Sequence, residues 1–196
     1  MAITKGHQVL CCDRNRRGGL KNIWLIEQDK LTGTPTIDAT SGMYDSFPTS
    51  NAFQFDFDRG TGGFNANAAR ENGSTLITLE LVFYIPKVTE VVNARLRELA
   101  TACGMFAIVE TYADDCVTPT AATYFFVLGY DSIFDDEAYL EFGSGEQTTG
   151  VGLQDANGTA ITLTGSGGEY PRGIDTTAGN AVMTAGATYT DAWSIV

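Results

Sequence analysis

The eleven residues at 75–85, TLITLELVFYI, constrain this chain more than any other stretch. Ile77, Leu79, Leu81, Phe83 and Ile85 fall on one face at a period of two, while Leu76, Thr78, Glu80, Val82 and Tyr84 fall on the other. A strand of this length reaches ~36 Å, which is long for a small sandwich, and its second face is apolar enough to be partly covered. Pro86 stops it, because proline donates nothing to a sheet ladder. The period then changes. Val88, Val92, Leu96, Leu99 and Cys103 recur at helical spacing, with Thr89 suited to the N-cap and Gly104 to the C-terminal cap. The spacing predicts a helix over about 88–103, the one convincing helix of the chain.

The remaining periodic stretches read as strands. NIWLIEQ at 22–28 is the first. FQFDFD at 53–58 alternates without fault, Phe53, Phe55 and Phe57 against Gln54, Asp56 and Asp58. RGTGG at 59–63 reads as a turn and 64–69 as a weaker strand, so the two together predict a hairpin. Beyond the helix, 105–111, 124–130, 138–142 and 160–164 complete the set. Stretches 32–50 and 165–192 are rich in Gly, Thr, Ser and Asp and read as extended loops, the second long enough to pack on a neighbour. The polar loop at 112–123 carries Asp114, Asp115, Cys116 and Pro119. Strands on both sides of a single helix predict one mainly β domain over 1–196, an antiparallel β-sandwich or barrel with one flanking helix.

Charge is unevenly distributed. The chain of 196 residues carries −12. Residues 1–30 hold six Lys/Arg against Asp13, Glu27 and Asp29, a balance of +3, which leaves −15 on the other 166. An acidic body repels a phosphate backbone rather than attracting it. The opening MAITKGHQVL has no apolar run suited to a secretory leader, and 76–85 is too short and too polar for a membrane helix, so neither export nor a membrane partner is expected.

Residues that carry chemistry are sparse. Cys11, Cys12, Cys103 and Cys116 show none of the paired spacings of a zinc site, and His7 is the sole histidine. No metal, no cofactor and no catalytic residue is expected. The free thiols fit assembly in a reducing compartment. A Ser-His-Asp triad would have to use His7, six residues into a polar stretch. The carboxylate pairs Asp56/Asp58, Asp114/Asp115 and Asp135/Asp136/Glu137 lack calcium-loop spacing. The glycine-rich strings at 60–63 and 165–168 lack the Lys-Ser/Thr of a phosphate loop and read as turns. Phe53, Phe55 and Phe57 could stack on bases or sugars, but strict alternation makes them core.

Six collinear strings together resemble the tail tube proteins of tailed bacteriophages. They are ITKGHQVLCCDRNRRGGLKNIWLIEQD at 3–29, FQFDFDRGTGGFNANAARENGSTLITLELVFYIPK at 53–87, the helix, MFAIVETY at 105–112, YFFVLGYD at 124–131 and AITLTGSG at 160–167. The order covers about 3–166, although no single string is diagnostic, and the loop around Cys116 and the tail 167–196 are longer than the pattern. The resemblance implies a tail-tube-like β-sandwich with a flanking helix, assembled as hexameric rings. Strands lent by each subunit close an inner barrel, and the rings stack through loops and terminal arms around a lumen that conducts DNA during ejection. It also implies a structural protein rather than an enzyme, located in the virion tail and assembled in the host cytoplasm. Its partners would be copies of itself and other tail proteins, with DNA passing through unbound.

Within that frame Asp56, Asp58 and Glu80 are candidates to face the lumen, since they alternate with the apolar set. Arg14, Arg16, Arg17 and Lys21 are candidates for an inter-subunit contact with acidic loops; the bland alternative is a solvated basic loop. Other readings stay open: a head–tail connector, a capsid decoration protein, or a carbohydrate-binding or adhesive β-sandwich, with an acid-pair glycosidase last.

Overall fold

In the computed structural model, which describes residues 18–49, 52–71, 73–112, 124–152 and 154–174, eleven strands and one α-helix follow in order. They are β1 (Leu20–Glu27), β2 (Thr36–Ile37), β3 (Tyr44–Ser46), β4 (Phe53–Phe55), β5 (Gly63–Glu71), β6 (Ser74–Pro86), α1 (Glu90–Thr101), β7 (Met105–Thr111), β8 (Tyr124–Leu128), β9 (Leu140–Thr148), β10 (Gly158–Gly167) and β11 (Gly173–Ile174). Every strand pair is antiparallel except β11 beside β3.

The protein is mainly β with one helix, and its sheet curls into a half-barrel. One layer runs β4-β1-β7-β8-β11-β3-β2, and the other runs β9-β10-β6-β5. A single pairing, Met105 with Leu140, joins them. The core lies between the layers. The expected apolar face of β6 is there in full, with Ile77, Leu79, Leu81, Phe83 and Ile85 all buried. Ile161 and Leu163 of β10, Ile23 and Leu25 of β1, and Ala107 and Val109 of β7 pack against it. Val92 and Leu99 of α1 join this core, with Leu96 half-buried beside them.

A second core explains why β1 and β7 are apolar runs rather than alternating strands. Their opposite faces, Trp24, Ile26, Phe106 and Ile108, are covered by Tyr44, Phe47 and Ala52 from the segment between β2 and β4. Strands buried on both sides need no polar face. Tyr44, Phe47, Phe106 and Tyr130 meet edge-on at centroid distances of 5.6–6.1 Å, the geometry that aromatic quadrupoles favour.

The helix starts as expected: the Val92 amide donates to Thr89 Oγ1 at 3.2 Å. Its end differs. Ala102 is the C-cap, and Gly104 serves packing instead. A Cβ on Gly104 would lie 2.8 Å from both Gln28 Oε1 and Tyr139 Cγ, so glycine lets these neighbours close over the start of β7. The expected hairpin of 53–58 with 64–69 does not form. β4 pairs with β1, and β5 pairs instead with β6 in register from Gly63/Val82 to Glu71/Ser74. The reason is that Phe55 and Phe57 stack on Phe83 from the opposite layer, at 6.1 and 6.3 Å, which carries the chain across the core rather than back along itself. The stretch read as 138–142 is longer than expected, reaching Thr148. The loop-like 32–50 contains β2 and β3.

Candidate functional site

The face of β9-β10-β6-β5 that points away from the core is built by simple alternation. Opposite residues of antiparallel strands share a face, so register defines it: Asn65 and Asn67 on β5; Thr78, Glu80, Val82 and Tyr84 on β6; Thr162, Thr164 and Ser166 on β10; Glu141, Ser144 and Glu146 on β9. Among side chains that are described, the charged ones on this face are Glu80, Glu141 and Glu146, all carboxylates. Asn65 donates to Glu80 Oε2 at 3.2 Å, and Asn65, Glu80, Thr164 and Glu141 form one row across the four strands. Neighbouring strands lie ~4.8 Å apart, which sets Glu80 and Glu141 roughly 10 Å from one another. This is a hydroxyl- and amide-rich surface of one charge sign.

Two open edges bound the sheet. Among the described residues β5 pairs with β6 alone, and beyond Leu140 β9 pairs with β10 alone. Both run well past the core: Ala68, Ala69 and Arg70 on β5, Ser74–Leu76 on β6 and 143–148 on β9 are all exposed. Unpaired edges of this length are templates for another strand.

Of the three carboxylates singled out in the sequence, only Glu80 lies on this face. Asp56 follows β4 in the other layer and accepts from Gln54 Nε2 at 3.4 Å. Asp58 sits in the turn that follows, where its amide donates to the Tyr84 carbonyl at 3.0 Å and its own carbonyl accepts from Thr61. Asp56 and Asp58 are exposed. The structure therefore does not bring the three together. Phe55 and Phe57 are half-buried against the core and form no open stacking platform.

Arg14, Arg16 and Arg17 lie outside the described residues, as do Cys11, Cys12 and Cys116. Lys21, at the start of β1, reaches a partner in its own subunit: its ammonium lies 2.5 Å from Glu110 Oε1. Glu110 is buried on β7, where its second oxygen accepts from Asn22 Nδ2, and Asn22 Oδ1 accepts from Gln54 at 3.2 Å. A buried carboxylate needs this full set of donors. The network ties the root of the basic stretch to the sheet.

A cleft of about 600 Å³ between the end of β1 and the end of α1 is lined by Glu27, Asp29, Glu98 and Asp136 together with Cys103, whose thiol is exposed. Glu98 is engaged by Arg95 at 2.8 Å and Asp29 by Lys30 at 2.6 Å. Among the described residues no three His, Cys, Asp or Glu side chains are grouped to hold a metal ion, and no helix is long and apolar enough to cross a membrane. Glu110, Glu141 and Glu146 were not foreseen from sequence. Glu110 hides in an otherwise apolar run, and SGEQT of β9 has no apolar alternation to mark a strand. Comparison with protein-family models, with curated proteins and with solved structures finds no match.

Proposed function

We propose that this chain is the structural subunit of a phage tail tube, self-assembling into stacked rings, hexameric by the resemblance, whose acidic lumen conducts DNA during ejection. The observation that carries this reading is the sheet β9-β10-β6-β5, which has two open edges and an outer face charged by Glu80, Glu141 and Glu146. Edge β9 of one subunit pairing with edge β5 of the next would remove both exposed templates at once and close a barrel. The face turned inward would then present hydroxyls, amides and carboxylates. With a Debye length of ~8 Å at physiological salt, carboxylates roughly 10 Å apart leave little of the wall unscreened from their repulsion of phosphate. Asp58, whose amide donates to the Tyr84 carbonyl of β6, and Asp56 lie off this face and have no part in the charge of its wall.

Arg14, Arg16 and Arg17 belong in this reading to an inter-subunit contact, while Lys21, foreseen as part of it, is paired with Glu110 of its own subunit. The protein acts in the virion tail after assembly in the host cytoplasm, with other tail proteins at its ends, no cofactor and no catalytic role. The test is the triple variant Glu80→Lys, Glu141→Lys, Glu146→Lys in assembled protein. Wild-type assemblies should let DNA fragments pass freely at physiological salt, and the variant should retain them, releasing them as salt rises. Equal DNA retention by both would remove this face from the DNA path.

A further inference from the structure

A single apolar side chain on a surface needs no explanation, but a cluster does. Ile133, Phe134 and Tyr170 are 59%, 44% and 58% exposed. They form a knob where β10 ends. The backbone of Gly168 passes beneath Ile133 and Phe134, since a Cβ on Gly168 would fall 2.9 Å from Ile133 Cδ1 and 3.1 Å from Phe134 Cε2. Tyr170 follows two residues on.

A built turn holds the knob out. Buried Asp131 accepts from the amides of Ile133 at 2.8 Å, Phe134 at 2.6 Å and Gly168 at 2.7 Å. Glu169 accepts from the Ser132 amide and from Arg172 Nε, both at 2.8 Å, and Arg172 Nη1 donates to the Gly42 carbonyl at 2.9 Å. Three separate segments of chain are thereby tied together beneath the exposed side chains. A side chain pre-set in the open loses little entropy on docking.

Charge around the knob points to its occupant. The loop continues through Asp135, Asp136 and Glu137, all exposed. Asp136 also lines the cleft between β1 and α1, where Gln28 Nε2 donates to its carbonyl at 3.1 Å and Glu27, Asp29 and Glu98 add further carboxylates. The cations there are Lys30, 2.6 Å from Asp29, and Arg95, 2.8 Å from Glu98. Arg172 is matched by Glu169, and Arg70 stands on β5, two strands across from the row of Gly167. Knob and cleft therefore lie on two sides of one loop, in surroundings of net negative charge. A nucleic acid or an anionic lipid surface is repelled by such a site. A second copy, at −12 over the whole chain, brings the same sign.

We propose that Ile133, Phe134 and Tyr170 dock a cationic, apolar segment of a different protein, a stretch in which large apolar side chains are flanked by Lys or Arg. The apolar side chains pack on the knob. The cations take Asp135, Asp136 and Glu137 on the near side and the carboxylates of the cleft beyond. The apolar contact holds the segment, and the rim of charge selects partner and register. This contact is separate from the outer face of β9-β10-β6-β5, so it stands or falls apart from the closure of a ring.

The experiment uses the full chain and a short labelled peptide in which Lys alternates with Leu and Phe, its binding followed by fluorescence anisotropy. Two control peptides replace every Lys by Glu, or every apolar residue by Ser. Wild type should bind the first peptide about tenfold more tightly than either control, with affinity falling as salt rises. Ile133→Ser/Phe134→Ser, at exposed positions, should weaken binding about tenfold while far-UV circular dichroism stays unchanged. Asp136→Asn/Glu137→Gln should weaken it several-fold and flatten its salt dependence. Asp56→Asn/Asp58→Asn removes equal charge from another exposed place and should bind as wild type does. Wild type that does not discriminate among the peptides, full binding by Ile133→Ser/Phe134→Ser, or equal losses from the two charge variants would each overturn the inference. Sedimentation without peptide tests the other occupant. Self-association should be the same in wild type and in Ile133→Ser/Phe134→Ser. If that variant abolishes self-association shown by wild type, the knob meets a second copy and its assignment to a different protein is wrong.

Discussion

Replacing Asp131 by Ala should be among the most damaging single changes to a polar residue in this protein. Its carboxylate is buried and accepts three backbone amides, from Ile133, Phe134 and Gly168, at 2.6–2.8 Å. Hydrogen bonds to a charged acceptor are worth about 1.5–3 kcal/mol each. Ile133 and Phe134 are exposed, so their amides can recover water, while the Gly168 amide sits beneath those two side chains. Counting one bond in full and two in part gives a loss of about 3 kcal/mol. For a domain of this size that lowers the melting temperature by roughly 6–12 °C. Asp131→Asn keeps one acceptor oxygen but turns an amide donor toward one of the three N–H groups, so about half the loss should remain. Urea unfolding followed by circular dichroism measures both. A loss below about 0.5 kcal/mol for Asp131→Ala would show that the 131–137 loop is held by its packing alone and that the carboxylate is incidental.

Gly129 has φ of +88°, and a Cβ there would lie 2.9 Å from the Met105 carbonyl oxygen, so Gly129→Ala should cost about 2–3 kcal/mol through left-handed strain and crowding at the joint between the layers, read by the same unfolding curves. Thr89→Ala removes the side-chain cap of α1 and should cost about 1 kcal/mol, with Thr89→Ser restoring most of it. Burial, and then the nearby Glu169 charge, push the Tyr44 phenol above its ordinary range, and burial likewise raises Tyr130. An acid whose folded pKa is raised contributes stability that is intact below the unfolded pKa, about 10 for tyrosine, and is lost as pH rises above it. Stability should therefore fall steeply above about pH 10, and Tyr44→Phe should flatten that limb with little change at neutral pH, because the Tyr44 hydroxyl makes only a 3.5 Å contact with the Tyr130 carbonyl. An alkaline limb of the same slope in Tyr44→Phe would refute that cause.

What could be read from sequence was whatever alternation or capping states locally. The inward set of β6, the Thr89 cap and the mainly β class with a single helix all follow from spacing within one element. Pairing between elements did not follow. Phe53, Phe55 and Phe57 announce a strand, but nothing in FQFDFD says that its neighbour is β1 or that Phe83 across the core draws Phe55 and Phe57 away from β5. Gly104 looks like a cap because glycine after a helix usually is one; its actual duty depends on Gln28 and Tyr139, far away in the chain. The candidate site was legible to the same degree. Glu80 was found because its strand alternates strongly. Glu146 was missed because β9 beyond Phe142 is exposed and no apolar residue marks its period, whereas Glu141, between Leu140 and Phe142, lay in a strand read as too short to define a face. Asp56 and Asp58 share the alternation of Glu80 but not its layer of the sheet.

The most direct measurement is electron cryomicroscopy of the purified, assembled protein. Rings or tubes are expected in which β9 of one subunit lies beside β5 of the next, with Glu80, Glu141 and Glu146 pointing into a central channel. Isolated monomers at high concentration, or assemblies in which those three carboxylates face the outer surface, would contradict the account.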